Sequence, residues 1–333
     1  MAESGSGGNR RHPQNMQGLL QMAIEAGADD QDAGVANEMS EERRKWLQEA
    51  MSNAFQGQVD EVQQMKDCLA DLRGGAEGGD EEAKDPQEEE ERKERALEML
   101  ADLCENLDNA ADFCKLDGMR FLVTHYLDCP EAVLRSETAH LIGTCSQNVP
   151  FVQEHVLSLG ALGKLLRLLD VDCNEVVRIK ALFAISCLVR EQEAGLLEFV
   201  KLDGFSVLMR AMQSDVMKLK VKSAFLLQNL LTSHPEHKEA LCSMGMVQQL
   251  VALLRTDHGP FHEHVLGALC SLVMDFPQGV LECRAPELGF EELLKERCQL
   301  IASQEEFQEE MEFCERLLQL CFQNQPEDQS MDR

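Results

Sequence analysis

Lys218-Leu-Lys-Val-Lys-Ser-Ala-Phe-Leu-Leu-Gln-Asn-Leu-Leu231 decides the fold of this chain. Its apolar residues Val221, Ala224, Leu227, Leu230 and Leu231 recur at helical spacing, while Lys218, Lys220 and Lys222 crowd its first turn. Fourteen residues past Leu231 stands Gly245, followed by the apolar helix Met246–Leu254. This order of long helix, short helix, glycine and medium helix is written five times. The glycines fall at Gly118, Gly160, Gly204, Gly245 and Gly289, at intervals of 42, 44, 41 and 44. A repeat of that period is the signature of an armadillo or HEAT solenoid. The expected fold is all-α: a right-handed superhelical solenoid of armadillo-like repeats with helical caps and a flexible amino-terminal region.

The composition agrees. The chain has 333 residues and is 44% hydrophobic but only 5% aromatic, so Leu, Val, Ala and Met do the packing. Sixty acidic residues against 31 basic ones give a formal net charge of −29. That surplus argues against nucleic acid and anionic lipid as partners. Met1–Asn15 has no apolar run that could act as a secretory signal, and no stretch of about 18 apolar residues predicts a membrane span. The 13 cysteines are odd in number and include no CxxC. Cys104, Cys145, Cys187 and Cys270 each fall near the end of a repeat's long helix, in four of the five repeats, where a small apolar side chain fits between turns. They read as core thiols in a reducing compartment, so a cytosolic or nuclear protein is expected.

Taken in order, residues 1–73 form the flexible region with amphipathic helices. Met16, Leu19, Leu20, Met22, Ala23 and Ile24 mark one over Asn15–Ala26. Ser40, with Glu41 and Glu42 behind it, reads as the cap of a second through Trp46, Leu47, Met51 and Phe55. Val59–Leu72 continues the helical period. Residues 74–87 are an acidic, glycine-containing linker, which reads as a solvated hinge or an acidic docking tail. The solenoid occupies 88–322. Its long helices are expected at about 90–106, 131–147, 174–191, 216–232 and 261–275. Glycine at each junction lets one helix end in the left-handed region and the next leave at a sharp angle. Pro286 predicts an irregular last short helix. Ser303–Phe322 reads as the carboxy-terminal cap, and 323–333 as a polar tail.

No repeat can bury its apolar face alone, so the array must fold as one body. Signs of catalysis are lacking. The sequence has no phosphate-binding glycine loop and no strand to carry a nucleophile elbow. No cofactor is implied. His258, His262 and His264 lie close together, but no Cys or acid stands at matching spacing, so they read as exposed histidines at a helix entry rather than a metal centre. What remains is a binding surface. Phasing the long helices on their apolar residues places Lys180, Lys222 and His264 at equivalent positions. Phe183, Phe225 and Gly267 follow one turn later, and Cys187, Asn229 and Ser271 one turn after that. The first row is either a solvated face or a polar ladder along the groove.

Several strings carry a more specific resemblance: Asn15-Met-Gln-Gly-Leu-Leu-Gln-Met-Ala-Ile, Met39-Ser-Glu-Glu-Arg-Arg-Lys-Trp-Leu-Gln-Glu-Ala-Met51, Asp108-Asn-Ala-Ala-Asp-Phe-Cys114, Leu182-Phe-Ala-Ile-Ser-Cys-Leu-Val-Arg-Glu-Gln-Glu-Ala-Gly195, Lys218–Leu231 and Pro260-Phe-His-Glu-His-Val-Leu-Gly-Ala-Leu-Cys270. Together they resemble the armadillo-type nucleotide exchange factors that bind heat-shock protein 70, from about Asn15 to Arg333. The resemblance implies a monomeric co-chaperone whose concave face grips the ATPase domain of that DnaK-type chaperone and promotes ADP release. Such a chain is not an enzyme. The resemblance also implies that residues 15–72 help free client peptide. On the ladder and the resemblance together, the expected partner-binding residues are Lys180, Lys222, Phe225, Asn229 and His264, with Lys218 and Lys220 at the rim. Ala110 is expected as a small residue where the partner approaches closely. The alternative is an armadillo adaptor that grips an extended peptide. Such adaptors usually carry more repeats and a regular asparagine ladder, to which only Asn229 corresponds here.

Overall fold

The computed structural model describes residue 45 and residues 61–74, 85–302 and 304–323. Of the two expected helices within 15–55 only Lys45 is described, and it is helical and exposed. Most of the linker and the tail beyond Gln323 lie outside the described residues.

The chain divides into two units, Met1–Gln64 and Met65–Arg333. The described part of the first unit beyond Lys45 is Glu61–Gln64, the opening turn of α1 (Glu61–Leu72). In the second unit five groups of three helices follow one another. They are α2 (Pro86–Leu103), α3 (Leu107–Lys115) and α4 (Gly118–His125); α5 (Ala132–Ser146), α6 (Pro150–Ser158) and α7 (Ala161–Val171); α8 (Glu175–Val189), α9 (Glu193–Lys201) and α10 (Gly204–Met212); α11 (Met217–Ser233), α12 (Lys238–Ser243) and α13 (Met246–Leu254); α14 (Phe261–Val273), α15 (Pro277–Cys283) and α16 (Phe290–Ile301). The helix α17 (Gln308–Leu318) and a wider turn over Gln319–Gln323 close the stack. Pro286–Leu288 is a short 3₁₀ turn, as Pro286 predicts. Among the described residues there is no strand, and no helix is long and apolar enough to cross a membrane.

Local chemistry sets the helix starts. The Asp85 carboxylate accepts from the Gln87 N–H at 3.1 Å, with Pro86 in the first turn, and Asn174 Oδ1 accepts from the Val176 N–H at 2.8 Å. The long helices α2, α5, α8, α11 and α14 pack side by side, and α17 packs on α14. The core between layers is aliphatic, as the composition predicts. All 13 cysteines are free thiols, and Cys104, Cys145, Cys187 and Cys270 are buried in it.

The junction glycines play two different parts. Gly160, Gly245 and Gly289 have φ of +70°, +74° and +47°, the left-handed region expected of them. At the other two junctions the left-handed residue is the preceding aspartate, Asp117 (φ 60°) or Asp203 (φ 57°). There the glycine makes room. A Cβ on Gly118 would lie 2.3 Å from the Phe113 ring, and one on Gly204 would lie 2.4 Å from the Phe199 ring.

The packed unit begins earlier than the expected boundary after residue 73. Met65, Cys68, Leu69 and Leu72 on one face of α1 are buried. The Tyr126 hydroxyl donates to the Leu72 carbonyl at 2.6 Å, and the Arg73 guanidinium stands 5.2 Å from the Phe121 ring centre. These contacts make the carboxy-terminal part of α1 a cap rather than flexible chain.

At the other end the histidine expectation is corrected. His262 is wholly buried and His258 half-buried. Arg297 Nη1 on α16 donates to His262 Nδ1 at 2.9 Å, which leaves the imidazole proton on Nε2, 3.3 Å from Thr256 Oγ1. His258 Nε2 lies 2.8 Å from the buried Glu310 carboxylate on α17. Arg297 also reaches Glu310 at 3.4 Å and the Leu254 carbonyl at 2.9 Å. This network ties the last repeat to its cap.

Two measurements test these assignments. Gly204→Ala should lower unfolding free energy in urea by about 1–3 kcal/mol through overpacking, with Phe199→Leu recovering part of the loss in the double variant. Burial, followed by the Arg297 charge, pushes His262 down to about 3 from an ordinary 6.5. A depressed folded-state value means stability is present above about 6.5 and is lost as pH falls toward 3, because the unfolded chain takes up the proton first. The contribution is up to about 1.4 kcal/mol per pH unit in that window. His262→Gln should therefore flatten the acid limb of a stability–pH profile relative to the native chain.

Candidate functional site

The face lined by the long helices carries the expected residues, one repeat apart. Lys222 on α11 is exposed, whereas Lys180 on α8 and His264 on α14 are half-buried. Lys180 faces Glu137 one layer back. The Glu137 carboxyl is held below its usual range, first by a hydrogen bond from His140 and then, against burial, by the Lys180 charge. Phe225, one turn beyond Lys222, is 45% exposed. Its ring meets that of His264 edge-on, with centroids 5.4 Å apart. Burial holds the His264 imidazole below its ordinary value.

Between α8 and α11 lies a cleft of about 160 Å³, walled by Phe183, Cys187 and Phe225 and flanked by Arg190 and Lys222. No acidic residue lines it. Neither Arg190 nor Lys222 has an ion-pair partner among the described residues. The cleft therefore offers an aromatic floor with two unneutralised cations at its edge. That arrangement suits a carboxylate carried beside an apolar side chain.

The structure thus brings Lys222, Phe225 and His264 into one neighbourhood, with Lys180 one layer away. Asn229 lies on the same helix, but its amide donates to the Phe225 carbonyl at 2.8 Å and is turned along its own helix. Lys218 is exposed at the start of α11. Two expectations change. Lys220 is half-buried, with its ammonium 5.1 Å from the centre of the buried Phe261 ring, so it packs the next repeat rather than standing at the rim. Ala110 is 1% exposed on α3. It offers no surface for close approach, and an arginine there would have to displace core packing.

Arg190 was missed by the row-by-row phasing. It sits just past the end of α8, where the period breaks, one turn beyond Cys187. As for metals, His258, His262 and Glu310 bring ligand-type atoms within 4.8 Å of one another. They do not fit an ion. Both His262 nitrogens are already engaged, and the Arg297 guanidinium stands among them as a fixed positive charge. The acid that completes the group lies 52 residues from His258 in sequence, beyond the reach of any spacing rule.

Comparison with known proteins gives consistent matches. Residues 16–113 match the family described as nucleotide exchange factor Fes1, and residues 109–216 match the SIL1/FES1/HPBP1 C-terminal domain. The chain is 68% identical to Hsp70-binding protein 1 of Mus musculus over 326 residues, covering 98% of this chain and 90% of that one. It is 68% identical to Hsp70-binding protein 1 of Homo sapiens over 323 residues, 97% of this chain and 89% of that one. Among solved structures, a designed armadillo repeat protein in complex with peptide (KR)4 superposes with a TM-score of 0.61 at 16% identity, covering 79% of this chain and 100% of that one. At that identity the likeness speaks for the armadillo fold alone. Near-full-length identity on this scale, together with both family matches, places the chain in the Hsp70-binding protein 1 family, within the SIL1/FES1/HPBP1 group.

Proposed function

We propose that this chain is a co-chaperone that binds the ATPase domain of heat-shock protein 70 through the face lined by α8, α11 and α14 and promotes ADP release. The observation that carries the reading is the 68% identity, over 98% of the chain, to a protein named for binding Hsp70. The cleft between α8 and α11 supplies the physical means: two unpaired cations over an aromatic wall in a chain of net charge −29. Exchange requires differential binding. The solenoid must hold the opened, nucleotide-free domain more tightly than the closed, ADP-filled one, and by reciprocity ADP must weaken its grip. In this mechanism no bond is made or broken by this chain.

The peptide-adaptor reading is weaker. An asparagine ladder holds an extended peptide by its free amides, and Asn229 already gives one amide N–H to the Phe225 carbonyl. We further propose that the protein works as a monomer, and in a reducing compartment, cytosol or nucleus; the second reading is supported by its 13 free thiols.

The test is stopped-flow release of a fluorescent ADP analogue from heat-shock protein 70, with and without the full-length chain. Strong acceleration is expected. Lys222→Ala and Phe225→Ala should each weaken binding by about 1–2 kcal/mol, roughly 5- to 30-fold, with helical content and melting unchanged. Release at the intrinsic rate despite binding would replace exchange with passive docking. Unchanged affinity in both variants would move the contact off this face.

A further inference from the structure

Two thiols meet where the last repeat joins its cap. Cys283 ends α15, Cys321 lies in the turn after α17, and both are buried. The Cys283 thiol donates a hydrogen bond to the Cys321 sulfur. Arg284, the next residue along, donates from Nε to the Cys321 carbonyl, which pins α15 and the terminal turn together at this point. Desolvation disfavours a thiolate, so burial pushes Cys68 up to about 11 and Cys114 up to about 12. Cys321 goes the other way. The hydrogen bond from Cys283, then the Arg284 charge, holds it below the ordinary thiol value against burial. A buried thiol biased toward its thiolate, with a resolving thiol beside it and the Arg284 guanidinium on its own carbonyl, is the arrangement of an oxidisable pair.

We propose that Cys283 and Cys321 are a modification site, converted by a peroxide into an intramolecular disulfide that staples the carboxy-terminal cap to the last repeat. The Cys321 thiolate attacks one peroxide oxygen, the O–O bond breaks, and the departing hydroxide leaves as water after taking a proton. Cys321 is now a sulfenic acid. The Cys283 sulfur attacks it, the S–O bond breaks, the S–S bond forms, and a second water leaves with the Cys283 proton. Two thiols are oxidised by two electrons and one peroxide is reduced to two waters. The oxidant enters when the turn over Gln319–Gln323, the last described element, opens locally. The bridge closes a loop of 38 residues (321 − 283), which restricts the unfolded chain and stabilises the cap.

Neighbouring thiols are poorer candidates. Cys298 and Cys314 also share a hydrogen bond, but burial pushes both thiols up and disfavours the thiolate that begins the reaction. Cys242, beside Cys283, is pushed up to about 12 by burial and by Glu282.

Full-length protein would be treated with a small excess of hydrogen peroxide, its remaining thiols alkylated in denaturant, and its peptides mapped by mass spectrometry. The expected result is a Cys283–Cys321 crosslinked peptide formed ahead of any other oxidation product. It should be accompanied by a rise of several degrees in melting temperature that dithiothreitol reverses. Cys321→Ser should abolish the crosslink and the rise together. The native-sequence map decides the matter even if that variant folds poorly. Oxidation confined to the exposed Cys173, a Cys242–Cys283 bridge, or a sulfinic acid at Cys321 without a crosslink would each overturn the proposal.

Discussion

A stack of short helices buries helix ends, and the structure depends on how those ends are satisfied. The last carbonyls of each helix have no partner within it. Here side chains reach across the junctions to supply one. Lys164 Nζ donates to the Val123 carbonyl at 2.8 Å, Arg178 Nε to Leu169 at 2.8 Å and Gln153 Nε2 to Cys187 at 2.8 Å. Further along, Lys238 Nζ donates to Met274 at 2.8 Å and Arg297 Nη2 to Leu254 at 2.9 Å. All five carbonyls lie in the last turn or at the cap of their helix. An unmet buried carbonyl costs about 1–3 kcal/mol, comparable to the loss of a core methylene or two. The hydrophobic layers supply the attraction between repeats. These donors fix the angle and register at which the layers meet, because a shifted repeat would leave carbonyls orphaned.

This explains which parts of the fold are legible in the sequence. The glycine period and the apolar spacing are local signals, and they identify five repeats with helices close to their expected bounds. What each glycine does is not local. Phe113 and Phe199 stand five residues before Gly118 and Gly204, and only the packed rings show that those two glycines are small for clearance while their aspartates take the left-handed turn. The docking of α1 is likewise hidden. Its decisive bond, Tyr126 to Leu72, spans 54 residues. Nothing in Met65–Leu72 distinguishes a helix that packs on its own solenoid from one that awaits a partner.

The candidate site shows the same limit in sharper form. Two rows of polar residues run through the long helices with the same period. Arg135, Arg178, Lys220 and His262 form one, and Glu137, Lys180, Lys222 and His264 form the other, two residues later. Periodicity finds both equally well. The head groups separate them. In the first row Arg135 binds Asp172 and the carbonyls of Cys129 and Pro130, Arg178 caps α7, Lys220 covers Phe261, and His262 accepts from Arg297. That row is structural. In the second, Lys222 has no ion-pair partner among the described residues. Sequence phasing reached Lys222 and Phe225 because their helix is long and regular. It misplaced Lys220 because one residue-pair along the same helix is the difference between solvent and the next layer.

The unpaired cations gain meaning from the charge around them. Acids outnumber bases 60 to 31, and several bases outside the cleft are matched: Arg210 with Asp170, Lys164 and Arg167 with Asp128, Arg120 with Asp117. At the cleft no acid stands among the lining residues, so Arg190 and Lys222 keep their charge unneutralised there. Exposed cations are well solvated, so leaving Arg190 and Lys222 unpaired costs little in the free protein. A docking surface that covers the Phe183–Phe225 floor removes that water, lowers the local dielectric and strengthens any charge contact made there. In a chain of net charge −29, a cationic patch of this kind would set orientation more than raw affinity. A contact of that kind can favour one conformation of a partner over another only if its own geometry does not yield. The satisfied helix ends supply stiffness on either side of the cleft, where Gln153 holds the last turn of α8 and Lys238 the cap of α14.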